Sequence, residues 1–106
     1  MLKKILFLLF LLISVSAFSQ QKSIAKLSTA PNPFFDYTFI SYNSNKTQNV
    51  ILNIINVLGK VVFTKTYEAL NGENNIQFYK NDLPSGMYIY TIEDSNNRIS
   101  KRFVIK

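Results

Sequence analysis

From Ile24 onward, β-branched and aromatic residues come in short runs, and Asn, Gly, Pro or Ser interrupts each run before a helical period can establish itself. An amphipathic helix needs about ten or more residues with apolar positions every three to four, whereas a strand needs only about four to eight alternating ones. The chain therefore reads as all-β. Candidate strands fall at Ser23–Ser28, Tyr37–Asn43, Asn49–Asn56, Lys60–Tyr67, Asn74–Tyr79, Gly86–Glu93 and Arg98–Ile105. Seven such strands at this spacing predict an antiparallel β-sandwich.

The breaks between runs carry their own chemistry. Pro31-Asn32-Pro33 forbids helix and favours an extended bend, because each proline fixes φ and pushes the preceding residue out of the α region. Gly59, Gly72 beside Asn71, and Gly86 after Pro84-Ser85 sit where positive φ costs least, and Asn96-Asn97 can enter the left-handed region. Alternation then sets the faces. Val50, Leu52 and Ile54 fall on one side of their strand and Tyr88, Tyr90 and Ile92 on one side of theirs, so these are the predicted core, with Phe39 and Val62 joining them. Ile51, Ile55, Val61, Phe63, Met87 and Ile89 alternate with those sets, which predicts strands covered on both faces or one face left apolar.

The first 19 residues have the three parts of a cleavable signal peptide: cations at Lys3 and Lys4, an apolar run from Ile5 to Ile13, and small residues at Ala17 and Ser19 before the cut. The apolar run is too short for the roughly 18 to 20 residues that span a bilayer. A lipoprotein anchor would need a cysteine, and the chain has none, so no stable membrane insertion is expected after leader cleavage. Gln20 to Thr29 reads as a short linker and the start of the first strand, and 24–106 as one domain.

Cysteine and histidine are both absent. That removes thiolate nucleophiles, imidazole bases, disulfide scaffolds and most transition-metal sites. The carboxylates are Asp36, Glu68, Glu73, Asp82, Glu93 and Asp94, and the one adjacent pair, Glu93 and Asp94, would point to opposite faces of a strand. Neither an enzyme nor a cofactor is expected. Asp94-Ser95-Asn96 opens like a calcium loop but lacks the following glycine and the distal Glu, and reads as a hairpin tip. Beyond the leader, ten cations face six anions, and the lysines are dispersed with no aromatic-basic run of the RNA-binding kind, so no nucleic-acid partner is expected.

One ordered set of motifs stands out. Ala30-Pro31-Asn32-Pro33, then Ile54 to Val62 with Gly59 inside it, then Asn71-Gly72-Glu73-Asn74, Leu83-Pro84-Ser85-Gly86-Met87-Tyr88, and finally Lys101-Arg102-Phe103-Val104-Ile105-Lys106 occur in that order. Together they resemble the type A C-terminal sorting domain of the type IX (Por) secretion system of Bacteroidetes, over roughly Ile24 to Lys106. The family commonly has Asp where Asn56 stands. The resemblance implies an immunoglobulin-like sandwich that carries no catalysis and serves as an address label. Cargo reaches the periplasm by the general secretory pathway, the outer-membrane translocon reads the label, and a sortase-like peptidase removes it as cargo is secreted or attached to the cell surface. Cargo normally precedes such a label by hundreds of residues, and here no cargo domain is evident between the cut and Pro31. A gene fragment, an orphan label and a sandwich reused for binding all fit that.

Within the motifs, Pro31, Asn32, Pro33, Gly59, Gly72, Asn74, Leu83, Gly86 and Tyr88 read as structural. Lys101, Arg102, Phe103, Val104, Ile105 and Lys106 are the candidate recognition residues, because a last strand can turn apolar side chains inward and cations outward, or add itself to another sheet. A lysine-protected solvated edge reads equally from the residues alone. The rival function is a stand-alone secreted adhesion or carbohydrate-binding sandwich, which would show an exposed aromatic platform from Phe34, Phe35 and Tyr37.

Overall fold

The computed structural model describes residues 22–106, and the leader expectation of Met1 to Ser19 lies outside the described residues. Seven strands follow one another: β1 Ile24–Ala30, β2 Tyr37–Ser44, β3 Gln48–Ile55, β4 Val61–Ala69, β5 Gly72–Tyr79, β6 Gly86–Glu93 and β7 Arg98–Ile105. Among the described residues there is no helix. The strands form two antiparallel sheets, one in the order β1-β2-β5 and one in the order β4-β3-β6-β7.

The core lies between the sheets because each strand has one apolar row to bury. Val50, Leu52 and Ile54 of β3 face inward beside Tyr88, Tyr90 and Ile92 of β6, all six buried. Each fully buried side chain of this size stabilises the fold by about 1.5–3 kcal/mol. From the other sheet Ile24, Leu27, Ile40, Tyr42, Ile76 and Phe78 meet them. Phe103 sits in the middle of the aromatic part, its ring centroid 5.2 Å from Phe34, 5.8 Å from Phe78, 5.9 Å from Tyr88 and 5.2 Å from Tyr90.

Three expected placements change. Phe39, expected in the core, is 38% exposed, because β2 turns Thr38, Ile40, Tyr42 and Ser44 inward. That row buries Ile40 and Tyr42, and its polar members are satisfied: the Thr38 hydroxyl donates to the Pro31 carbonyl at 2.7 Å and the Ser44 hydroxyl to the Lys46 carbonyl at 2.6 Å. Phe34, expected in an exposed platform, is buried and makes an isolated bridge to Ile105. Phe63 pairs with Ile54 and therefore points inward, and it packs against the core together with Val62. The bulge at Ile54/Ile55 breaks the alternation there.

Several motif residues hold turns through side-chain bonds to the backbone. Asn56 Oδ1 accepts the amides of Leu58 and Lys60, both at 3.0 Å, while Gly59 takes φ +83° at the turn. The turn needs an acceptor oxygen, which Asn supplies as well as the Asp common in the family. Asn74 folds the link from β4 to β5: its Oδ1 accepts the Leu70 amide at 2.9 Å and its Nδ2 donates to the Leu70 carbonyl at 2.8 Å and the Gly72 carbonyl at 3.2 Å. The Tyr88 hydroxyl donates to the Pro84 carbonyl at 2.6 Å, and Leu83 packs on the core.

Candidate functional site

The six candidate recognition residues fall into two rows, Lys101, Phe103 and Ile105 on the face that β7 turns toward the core and Arg102, Val104 and Lys106 on the other. Phe103 and Ile105 are buried, Val104 is half-buried, and Lys101, Arg102 and Lys106 are exposed. Lys106 Nζ lies 5.6 Å from the centroid of the exposed Phe35 ring, within reach of a cation–π attraction. Phe103 and Ile105 therefore belong to the core, while Val104 and the three cations lie outside it, Lys101 exposed although it shares the row of Phe103 and Ile105.

β7 is an edge strand, and the Pro31-Asn32-Pro33-Phe34 segment closes part of that edge. The Val104 amide donates to Asn32 Oδ1 at 2.9 Å, and Asn32 Nδ2 donates to the Arg102 carbonyl at 3.3 Å. The Phe34 amide then donates to the Val104 carbonyl at 3.0 Å, and the Lys106 amide to the Phe34 carbonyl at 2.8 Å. The Asn32 carboxamide thus offers the acceptor and donor that a peptide group of a neighbouring strand would offer. Both flanking prolines follow cis peptide bonds. Toward Ser100 and Arg98 the edge pairs with no further strand among the described residues. Strand addition at Val104 to Lys106 is consequently blocked while the Asn32 contacts hold. Sequence reasoning missed this clamp, although an amide side chain between two prolines is its signal: the prolines cannot donate, so the pairing passes to the side chain.

The opposite end of β7 is tied to the start of the described chain. Asp94 Oδ1 accepts the amides of Asn96 and Asn97 at 2.7 and 2.6 Å, which makes the expected hairpin tip. Its other oxygen accepts the Ser23 hydroxyl, and Asn97 Nδ2 donates to Ser23 Oγ at 2.6 Å. Partial burial pushes the Asp94 carboxyl upward, but the bonds from Ser23, Asn96, Asn97 and Gln48 outweigh it and hold the group below its ordinary 3.8. A carboxyl depressed in the folded state adds stability above its unfolded pKa and loses it as pH falls through the folded one. Acid titration of the unfolding midpoint should therefore show a loss below about pH 4 that is smaller in Asp94→Asn, and identical profiles would remove Asp94 from the account.

The aromatic platform of the rival reading takes another form. Phe35, Tyr37, Phe39 and Tyr79 are exposed, but Tyr37 meets Phe39 edge to face at 86° and Tyr79 at 46°. These rings do not share the plane on which a sugar would stack. Burial pushes the phenols of Tyr42, Tyr67 and Tyr90 above their ordinary range, so none of them is an acid or base near neutral pH.

The domain is an all-β, two-sheet module whose motif residues hold turns and a terminal edge. Residues 28–106 match the family described as the secretion system C-terminal sorting domain, and the chain belongs to that family. Its members are the sorting signals of type IX secretion, a non-catalytic role that implies interaction with the secretion machinery and export to the cell surface or beyond. No curated protein matches the chain.

Proposed function

We propose that Lys101, Arg102 and Lys106, held on an edge strand whose end is fixed by Asn32, form the surface that the type IX translocon reads. The observation that carries this is the division of the terminal strand into buried Phe103 and Ile105 and exposed cations. On this reading the leader directs the chain to the periplasm by the general secretory pathway, and the translocon then recognises an immunoglobulin-like sandwich. Its strand arrangement supports that likeness, with β1-β2-β5 facing β4-β3-β6-β7. A sortase-like peptidase cuts ahead of the domain. Pro31, Pro33, Gly59, Gly72, Asn74, Leu83, Gly86 and Tyr88 serve the fold.

The test fuses a reporter between a signal peptide and residues 22–106 in a type IX-competent host. Replacing Lys101, Arg102 and Lys106 together by alanine should reduce reporter release about tenfold or more, since charge complementarity of this kind governs partner choice. The melting temperature should stay within a few degrees of the parent, as for most surface substitutions. Undiminished release from the triple variant would overturn the assignment. Deleting Lys101 to Lys106 is the poorer experiment, because it also takes Phe103 and Ile105 out of the core.

A further inference from the structure

The two sheets are unequal, three strands against four. In the constant-type immunoglobulin arrangement the fourth strand lies beside the fifth. Here β4 pairs with β3 instead, and β5 has β2 as its single strand neighbour. The consequence shows in the inward row of β4. Val50, Leu52 and Ile54 of β3 are fully buried, yet their directly paired partners Tyr67, Lys65 and Phe63 are half-buried, exposed and half-buried. An inward-facing lysine in solvent means that nothing lies over that part of β4.

The β5 edge beside this opening has unused main-chain groups. The Lys80 amide donates to the Asp36 carbonyl at 2.9 Å, which sets the phase of the β2–β5 ladder. Alternation in an antiparallel pair then turns the main-chain groups of Tyr79, Gln77, Asn75 and Glu73 away from β2. At one end of the opening Phe63 meets Phe78 edge to face at 5.2 Å, beside a recess of about 220 Å³ lined in part by Val62, Phe63, Phe78 and Leu83. Two residues along, Lys65 lies with its Nζ 5.2 Å from the Tyr67 ring centroid. The acidic residues of these two strands, Glu68 and Glu73, fall on the outer faces by alternation, so Lys65 is the one charge on their inner rows, while Lys80 and Asp82, of opposite sign, line the recess itself.

We infer that the β5 edge takes up an extended peptide from another protein as an eighth strand, placing an apolar side chain in the recess beside Phe63 and a carboxylate two residues further on, opposite Lys65. Main-chain bonds to β5 supply affinity, and the alternate side chains supply choice. A strand antiparallel to β5 runs in the direction of β4, so the apolar residue comes first and the acid second. This site is separate from the β7 edge and depends on the fold alone, so it stands or falls independently of the sorting surface.

The probe is the blocked peptide Thr-Val-Thr-Phe-Thr-Glu-Thr-Val-Thr, added to the isotope-labelled protein expressed from its full reading frame. Amides of Glu73, Asn75, Gln77 and Tyr79 should gain protection from hydrogen exchange. Lys65→Glu should weaken binding about tenfold and bind better a peptide with Lys in place of its Glu. Asn75→Pro, which removes an amide that faces away from β2 and is tolerable at an edge, should abolish the protection without unfolding the domain. Absence of binding, equal affinity of Lys65→Glu for both peptides, or protection confined to Ser100 and Arg98 would each overturn the inference. Protection that grows with protein concentration alone would assign the edge to a second copy and overturn it as well.

Discussion

Replacing Phe103 by alanine should destabilise the domain by about 3–5 kcal/mol, the usual cost of emptying a large aromatic site. The ring contacts Phe34, Phe78, Tyr88 and Tyr90, which come from the β1–β2 connection and from strands of both sheets. No single neighbour can move in to fill the space. Small domains have only about 5–15 kcal/mol in total, so chemical denaturation should show a midpoint shifted far toward zero denaturant or no cooperative transition at all. A variant within about 1 kcal/mol of the parent would mean that Phe103 is not the centre of this core. The same result bears on function: any truncation of the last strand tests folding before it tests recognition.

Asn32→Ala should cost about 0.5–1.5 kcal/mol, because it takes the acceptor from the Val104 amide and the donor from the Arg102 carbonyl at an edge that water can reach. The effect should be local. Amides of Val104 and Lys106 should exchange about tenfold faster or more, while those of Leu52 and Ile54 in β3 change only with global stability. Exchange at Val104 that tracks β3 would show that Asn32 does not clamp the edge. In the reporter assay this variant separates two roles of the edge, since loosening β7 leaves Lys101, Arg102 and Lys106 chemically intact.

All seven strands were legible in the sequence because every break is marked by residues that disfavour continuation, such as Gly59, Gly72, Gly86 and Pro31. The observed strands differ from expectation by a residue or two at their ends, as with β5, which begins at Gly72 and not at Asn74. The faces of β3 and β6 followed directly from alternation. Phe39 did not, since Tyr37 and Phe39 alternate as regularly as Ile40 and Tyr42 and the pattern offers either row to the core. Phe63 departs from the expected face because a bulge shifts the pattern by one at Val62, and nothing local in Val61-Val62-Phe63 announces it. The exposed cations of the terminal strand were readable from composition. The clamp was not, because it joins residues 72 positions apart, a distance at which pattern within a window carries no information.

The bonds of Ser23 to Asp94 and Asn97 have a consequence for geometry beyond the domain. They pin the incoming chain at the β6–β7 tip, while Phe34, Ile105 and Lys106 lie at the far pole, separated by the length of β7, about 26 Å at the usual rise per residue. A passenger attached ahead of Lys22 would therefore join the domain at the pole away from Lys106. A protease severing the junction and a receptor gripping the opposite pole would occupy different places, so cutting and holding need not compete.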